Sequence, residues 1–155
     1  MAFAADYPIL FDRLDEELRD APNPSSEIFA KIIGGACTRI RVLSHTEKAE
    51  RIDGLIDAGA WTDAALALLE LELPAWQMRR LARESGEWFC SLSRQPDLPA
   101  GLDETADASH PLMPLSILQA FLQARRRITR VWSAASDLLA NEKPTAAFVC
   151  CDNFG

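Results

Sequence analysis

The sequence predicts a helix-dominated α+β fold, with four to six helices packed on a small antiparallel sheet. Three observations predict it. Apolar residues recur at three- and four-residue spacing through most of the chain. One segment, 76–93, alternates instead with a two-residue period about a glycine-containing turn. Strong breakers such as Ala21-Pro-Asn-Pro-Ser25 separate the periodic stretches. At 155 residues, with 48% hydrophobic and 25% charged side chains, the chain is sized for one globular domain, 1–155, with a substantial core.

In chain order, residues 8–20 form the first expected helix. Pro8 suits its first turn, and Ile9, Leu10, Leu14 and Leu18 give a narrow apolar stripe. Ser26 caps a second helix carrying Ile28, Phe29, Ile32, Ile33, Cys37 and Ile40. Gly34 and Gly35 fall inside that pattern, and each glycine costs about 1 kcal/mol in a helix interior. Either something packs closely there or the helix is interrupted. Ser44-x-x-Glu47 reads as a capping box opening a third helix that ends at Gly59. Thr62 caps a fourth, 63–73, which is apolar on most sides and therefore central. The run Ile52-x6-Gly59-x-Trp61-x2-Ala64-Ala65 to Leu73-Pro74 resembles one helical hairpin of a tetratricopeptide array. No second copy follows at the ~34-residue offset of such arrays, which implies an isolated helical hairpin.

Residues 75–94 read in two ways. As a helix, 75–84 carries Met78, Leu81 and Ala82 on one face and stops at Gly86. As a β-hairpin with the three-residue loop Glu84-Ser85-Gly86, pairing Arg83 with Glu87 puts Trp76, Met78, Ala82, Trp88, Cys90 and Leu92 on one face. Gln77, Arg79, Arg83, Glu87, Ser91 and Ser93 fall on the other, and only Arg80 intrudes on the apolar side. Agreement between two strands favours the hairpin, because helix propensity is a weak local preference. Residues 95–112 are an acidic loop with one helical turn around 103–108. A long helix over 114–140 follows, with Leu118, Phe121, Leu122, Ile128, Trp132, Ala135 and Leu139 inward, ended by Asn141 and Pro144. The apolar segment 146–151 suits a C-terminal strand, and it is the alternative partner for 88–92.

The start, Met1-Ala-Phe-Ala-Ala-Asp6, has neither the basic region nor the apolar run of a secretory signal, so a cytoplasmic protein is expected. No uncharged stretch approaches the ~18 apolar residues of a membrane span. Thirteen of the 16 basic residues are Arg, a usage that accompanies GC-rich bacterial genomes. The net charge of −7 makes this an acidic protein and argues against general nucleic-acid binding. The acidity is uneven: residues 1–72 hold 14 acidic and seven basic groups, whereas 125–130 hold four Arg and no acid.

Four cysteines, Cys37, Cys90, Cys150 and Cys151, include no CxxC spacing, and His45 and His110 lie far from them, so no metal site is expected. The vicinal Cys150-Cys151 is the redox candidate, needing a nearby cation to lower a thiol pKa; its simpler reading is two small apolar residues alternating along a strand. A Cys/His nucleophile requires the fold to bring distant residues together, and His110 before Pro111 reads as a solvated turn residue. Acidic groups such as Asp15, Glu16 and Glu17 read as a solvated helix face, and Gly34-Gly35 lacks every phosphate-binding spacing.

The Arg islands are the strongest remaining signal. Arg79 and Arg83 share the polar side of the expected hairpin, and Arg126 and Arg130 stand at i,i+4. They suit an anionic ligand or an acidic partner segment, or else internal pairing with the acidic loop and the first helix. With Trp76, Arg80 and Trp88 they form the candidate binding set, the tryptophans serving as interface anchors if partly exposed. The expectation is a non-enzymatic cytoplasmic protein acting through protein contacts, as adaptor, regulator, assembly partner or homo-oligomer, with no cofactor. The alternative is a small-ligand-binding or thiol-based enzyme with a pocket between the sheet and the long helix.

Overall fold

The computed structural model describes residues 7–99 and 101–141. Within them, six helices pack on a three-stranded antiparallel meander, a helix-dominated α+β fold. The helices are α1 (Tyr7–Asp20), α2 (Ser26–Ala36), α3 (Arg39–Val42), α4 (Glu47–Asp57), α5 (Trp61–Glu72) and α6 (Met113–Asn141). The strands β1 (Gln77–Glu84), β2 (Glu87–Ser93) and β3 (Thr105–His110) lie between α5 and α6. The expected strand over 146–151 and the pair Cys150-Cys151 lie outside the described residues.

Two helices, α2 and α4, start where a side chain caps them, each displaced slightly from the expected cap. Ser25, not Ser26, accepts the Ile28 N–H to cap α2, and Thr46, not Ser44, accepts the Ala49 N–H to cap α4. Thr62 caps nothing: α5 begins at Trp61 with no side-chain cap. At the end of α4, Gly59 takes φ +72°, its N–H donates to Ile56 O and the Ala60 N–H to Leu55 O, a paired closure that only a left-handed residue permits. This turn folds α4 back on α5 as an isolated hairpin. The helix α2 runs uninterrupted through Gly34 and Gly35 because Gly35 lies under α1, where an added Cβ would stand 3.2 Å from Leu14 Cδ1.

The hairpin exists, but its register differs from expectation. Arg83 pairs with Trp88 and Glu84 with Glu87, leaving the two-residue turn Ser85-Gly86, both at positive φ (52° and 87°). That conformation matches the twist of two antiparallel strands. A bulge at Arg79, between Met78 and Arg80, absorbs one residue. Met78 therefore stands opposite Leu92 and Leu81 opposite Cys90, all against the core, while Ala82 moves to the Phe89 side. Arg80 lies on that outer side too, its guanidinium 5.7 Å from the Phe89 ring centre.

The third strand replaces the helical turn expected around 103–108. Its alternation sets Ala106, Ala108 and His110 opposite Leu92, Cys90 and Trp88. Alanines give a weak strand signal in sequence, but small side chains suit the face on which α6 lies. His110 is buried and accepts the Leu112 N–H at Nδ1 (2.9 Å), closing β3 onto the start of α6, so it is not a solvated turn residue.

The spine α6 has two unlike halves. From Leu115 to Leu122 every residue is buried, Ser116 and Gln119 included, because the sheet covers one side and α1 and α5 the other. A helix enclosed on all sides must be apolar on all sides, as this one nearly is. From Arg130 onward the helix leaves the body and almost every residue is exposed. Trp132 and Leu139, expected inward, are 70% and 72% exposed. No helix of the described residues is long and apolar enough to cross a membrane.

Candidate functional site

The emergence of α6 from the body creates two grooves at its root. On one side, Ile128, Val131 and Trp132 face Leu73, Pro74, Ala75 and Trp76 across an apolar groove of about 220 Å³, rimmed by Arg94, Arg127 and Glu104. On the other, Arg126, Thr129, Arg130 and Ser133 face Tyr7, Pro8, Phe11 and Asp12 of α1 across a cleft of about 310 Å³. Above both, the outward turns of α6 carry Val131, Trp132, Leu138 and Leu139 at 64–72% exposure. Four large apolar side chains gathered along one helix differ from the scattered exposed residues of an ordinary surface, where they occur singly.

The candidate arginines are dispersed. Arg79 sits in the bulge and bonds through Nη1 to the Asp103 carboxylate (2.5 Å) and to Leu98 O (3.1 Å), bracing the 94–104 loop over the sheet. Asp103 also accepts from the Ser93 hydroxyl, and that bond, with Arg79 beside it, holds its carboxyl below the usual carboxylate range. Arg80 pairs with Glu84, and Arg83, opposite Trp88, is exposed on the other side of the strand. Arg79 and Arg83 thus do not share a surface, a consequence of the bulge. Trp76 is buried in the core, which removes it from any surface, while Trp88 is half-buried and pairs across the hairpin with Arg83.

Arg126 and Arg130 do come together, in the α1 cleft. Arg126 Nη2 lies 2.8 Å from Asp12 Oδ1 without hydrogen-bond geometry, and its Nε makes no hydrogen bond among the described residues. Arg127 reaches Glu104 at 3.8 Å, and Arg125 donates from Nε to Ala36 O, tying α6 to the end of α2. Internal pairing with the acidic loop and the first helix therefore accounts for Arg79, Arg126 and Arg127. Arg130 has no ion-pair partner among the described residues.

The described thiols are poorly suited to nucleophilic work. Burial pushes the Cys37 thiol well above its ordinary pKa, and Glu72 nearby adds to the effect. Burial, with Asp107 behind it, raises Cys90 to about 12. Both stay protonated at neutral pH. No group of three His, Cys, Asp or Glu side chains is placed to hold a metal ion among the described residues.

Sequence reasoning missed the exposed stripe because periodicity shows that a helix is amphipathic without showing whether anything covers it. One signal was available. The helix expected over 114–140 is about 40 Å long, as long as the ~39 Å diameter that goes with a radius of gyration near 15 Å for a domain of this size, so its end reaches the edge of the body. No family model matches the chain, and comparison with the curated proteins and with the solved structures finds no significant match.

Proposed function

We propose that this chain is a non-enzymatic cytoplasmic protein that works through protein–protein contacts, as an adaptor, regulator or assembly partner, with the outward half of α6 as its docking element. One observation carries the reading: Val131, Trp132, Leu138 and Leu139 line one side of a helix that has left the body of its own fold. Held in water, these side chains forgo roughly 1.5–3 kcal/mol apiece of burial free energy, which a partner's apolar face recovers. An aromatic flanked by aliphatic residues and rimmed by Arg94 and Arg127 has the composition of an interface centre. Two buried, unpaired thiols suit a reducing compartment, and a chain of net charge −7 suits a protein partner better than nucleic acid.

The test is site-specific photo-crosslinking in cells, with the photoreactive residue at position 132 or 138 and at Asp53, on the exposed side of α4, as control. Protein-mass adducts from 132 and 138 but not from 53 support the reading. Equal or absent labelling at all three positions overturns it.

A second reading, small-ligand binding, rests on the α1 cleft. Arg126 and Arg130 flank an apolar floor of Tyr7, Pro8 and Phe11, with the hydroxyl residues Thr129 and Ser133 alongside. That combination fits a small carboxylate or phosphate bearing an apolar group. A thermal-shift panel of such anions tests it: saturation at 100 times Kd adds about 2.7 kcal/mol, and Arg130→Ala should remove the shift. An unchanged melting temperature across the panel counts against this cleft as a ligand site.

A further inference from the structure

The exposed stripe of α6 has a symmetry of its own. Counted from Ala135, Val131 and Trp132 lie four and three residues before it, and Leu138 and Leu139 three and four after it. A two-fold axis through Ala135, perpendicular to the helix, therefore exchanges the positions of Val131 and Leu139 and of Trp132 and Leu138. We propose that the partner seated on this stripe is a second copy of the same chain, its α6 antiparallel to the first. The proposal rests on the docking reading of α6 given above and names its occupant.

An isologous contact requires a self-complementary surface, and a positional palindrome on a straight helix is one. Val131 packs on Leu139 of the second copy, Trp132 on its Leu138, and Ala135 on its equivalent. The small residue sits at the point of closest approach. Ala134, Ser133 and Ser136 flank it, so the backbones can come within the 8–10 Å of packed helices while the bulky residues interlock on either side.

Charge favours the same place. Each copy carries −7, and most of its surfaces would repel a second copy. Residues 128–141 hold one cation, Arg130, and one anion, Asp137, making the overhang a neutral part of an acidic molecule. Beyond Leu139 the incoming helix runs toward the groove of Ile128, Leu73, Pro74 and Trp76. A contact of this length buries on the order of 1,000 Å² in total, at the lower bound of specific interfaces, so the dimer should form with a Kd in the micromolar range, about 1–50 µM.

Sedimentation of the full chain across that range should show a monomer–dimer equilibrium that added salt does not weaken. Leu138→Asp combined with Leu139→Asp should raise the dimer Kd at least about 100-fold, while the melting of the monomer's body stays unchanged because both side chains are exposed. In a Cys150→Ser, Cys151→Ser background, Ala135→Cys should cross-link two copies under mild oxidation and Asp137→Cys should not. A chain that stays monomeric at several hundred micromolar overturns the proposal, as does a dimer that survives the double aspartate change or equal cross-linking at 135 and 137.

Photo-crosslinking at 138 separates this failure from failure of the docking reading. Adducts at twice the chain mass support the second copy. Adducts of another mass overturn it while leaving α6 a docking element. Intrachain cross-links to 142–155 assign the stripe to the chain's own C-terminal segment, and they overturn both.

Discussion

Gly34 and Gly35 are neighbours in α2, yet a methyl group added to each meets different surroundings. Nothing lies within 4 Å of a Cβ at Gly34, and the position is helical, so Gly34→Ala should stabilise the fold by about 0.5–1 kcal/mol through the entropy of the unfolded chain. At Gly35 the same methyl presses on Leu14 and Leu10, and the gain should shrink or reverse. Gly59→Ala, by contrast, forces a side chain into the left-handed region at φ +72° and should cost about 1 kcal/mol. Urea denaturation of the three variants orders them. Asp103 gives a pH-dependent counterpart. Its carboxyl is held low in the folded state by Ser93 and Arg79, so its stabilisation is fully present above the unfolded carboxylate pKa of about 3.9. It is lost as pH falls through the lower folded value. The stability difference between the wild type and Asp103→Asn should be constant above about pH 5 and shrink below pH 4; a difference that grows on acidification would show that Asp103 is not the anchor of the 94–104 loop.

At the scale of elements, the hairpin and α6 respond to opposite kinds of constraint. The hairpin is fixed by its turn: Ser85 and Gly86 both take positive φ, which asparagine tolerates better than serine. Ser85→Asn should therefore raise stability by a few tenths of a kcal/mol, read as a rise in melting temperature. The turn residues were visible in the sequence, but the bulge at Arg79 was not, and that single residue decided which arginines faced which way. The helix α6 is fixed by burial along one half only. Amides from 115 to 124 should exchange with solvent at the rate of global unfolding. Those from 131 to 141 in the monomer should exchange orders of magnitude faster, because an unsupported stretch shorter than ~12 residues is a marginal helix in water. Exchange mass spectrometry at low protein concentration measures the contrast, and protection of 131–141 that rises with concentration would report a partner copy.

For the whole molecule, the connection that links the helical half internally is Glu72. This residue closes α5, is buried, and accepts the Thr38 and Ile40 N–H groups at 3.2 and 2.6 Å, holding the turn between α2 and α3. Arg125 secures the adjacent Ala36 carbonyl from α6, so α5 and α6 both hold the turn that joins α2 to α3. Glu72→Ala leaves two backbone donors without their acceptor and should cost roughly 2–3 kcal/mol, detectable as a lower denaturation midpoint. Nothing in the local pattern marks this glutamate, because the N–H groups it accepts lie 34 and 32 residues away in the chain.

Local chemistry is what the sequence determined by itself: helices where apolar residues recur at helical spacing, a hairpin where they alternate, the stop at Gly59, and an acidic chain with two Arg islands. These follow from interactions within a few residues, which the chain order carries directly. Tertiary structure decided the caps, the strand register, the third strand hidden in Thr105–His110, and the separation of Arg79 from Arg83. It also decided the matter on which function turns. An amphipathic pattern is the same whether or not something lies against it. Only the finite size of the body shows that Leu118 and Phe121 are covered by its own elements while Trp132, Leu138 and Leu139 stand outside them, facing whatever binds there.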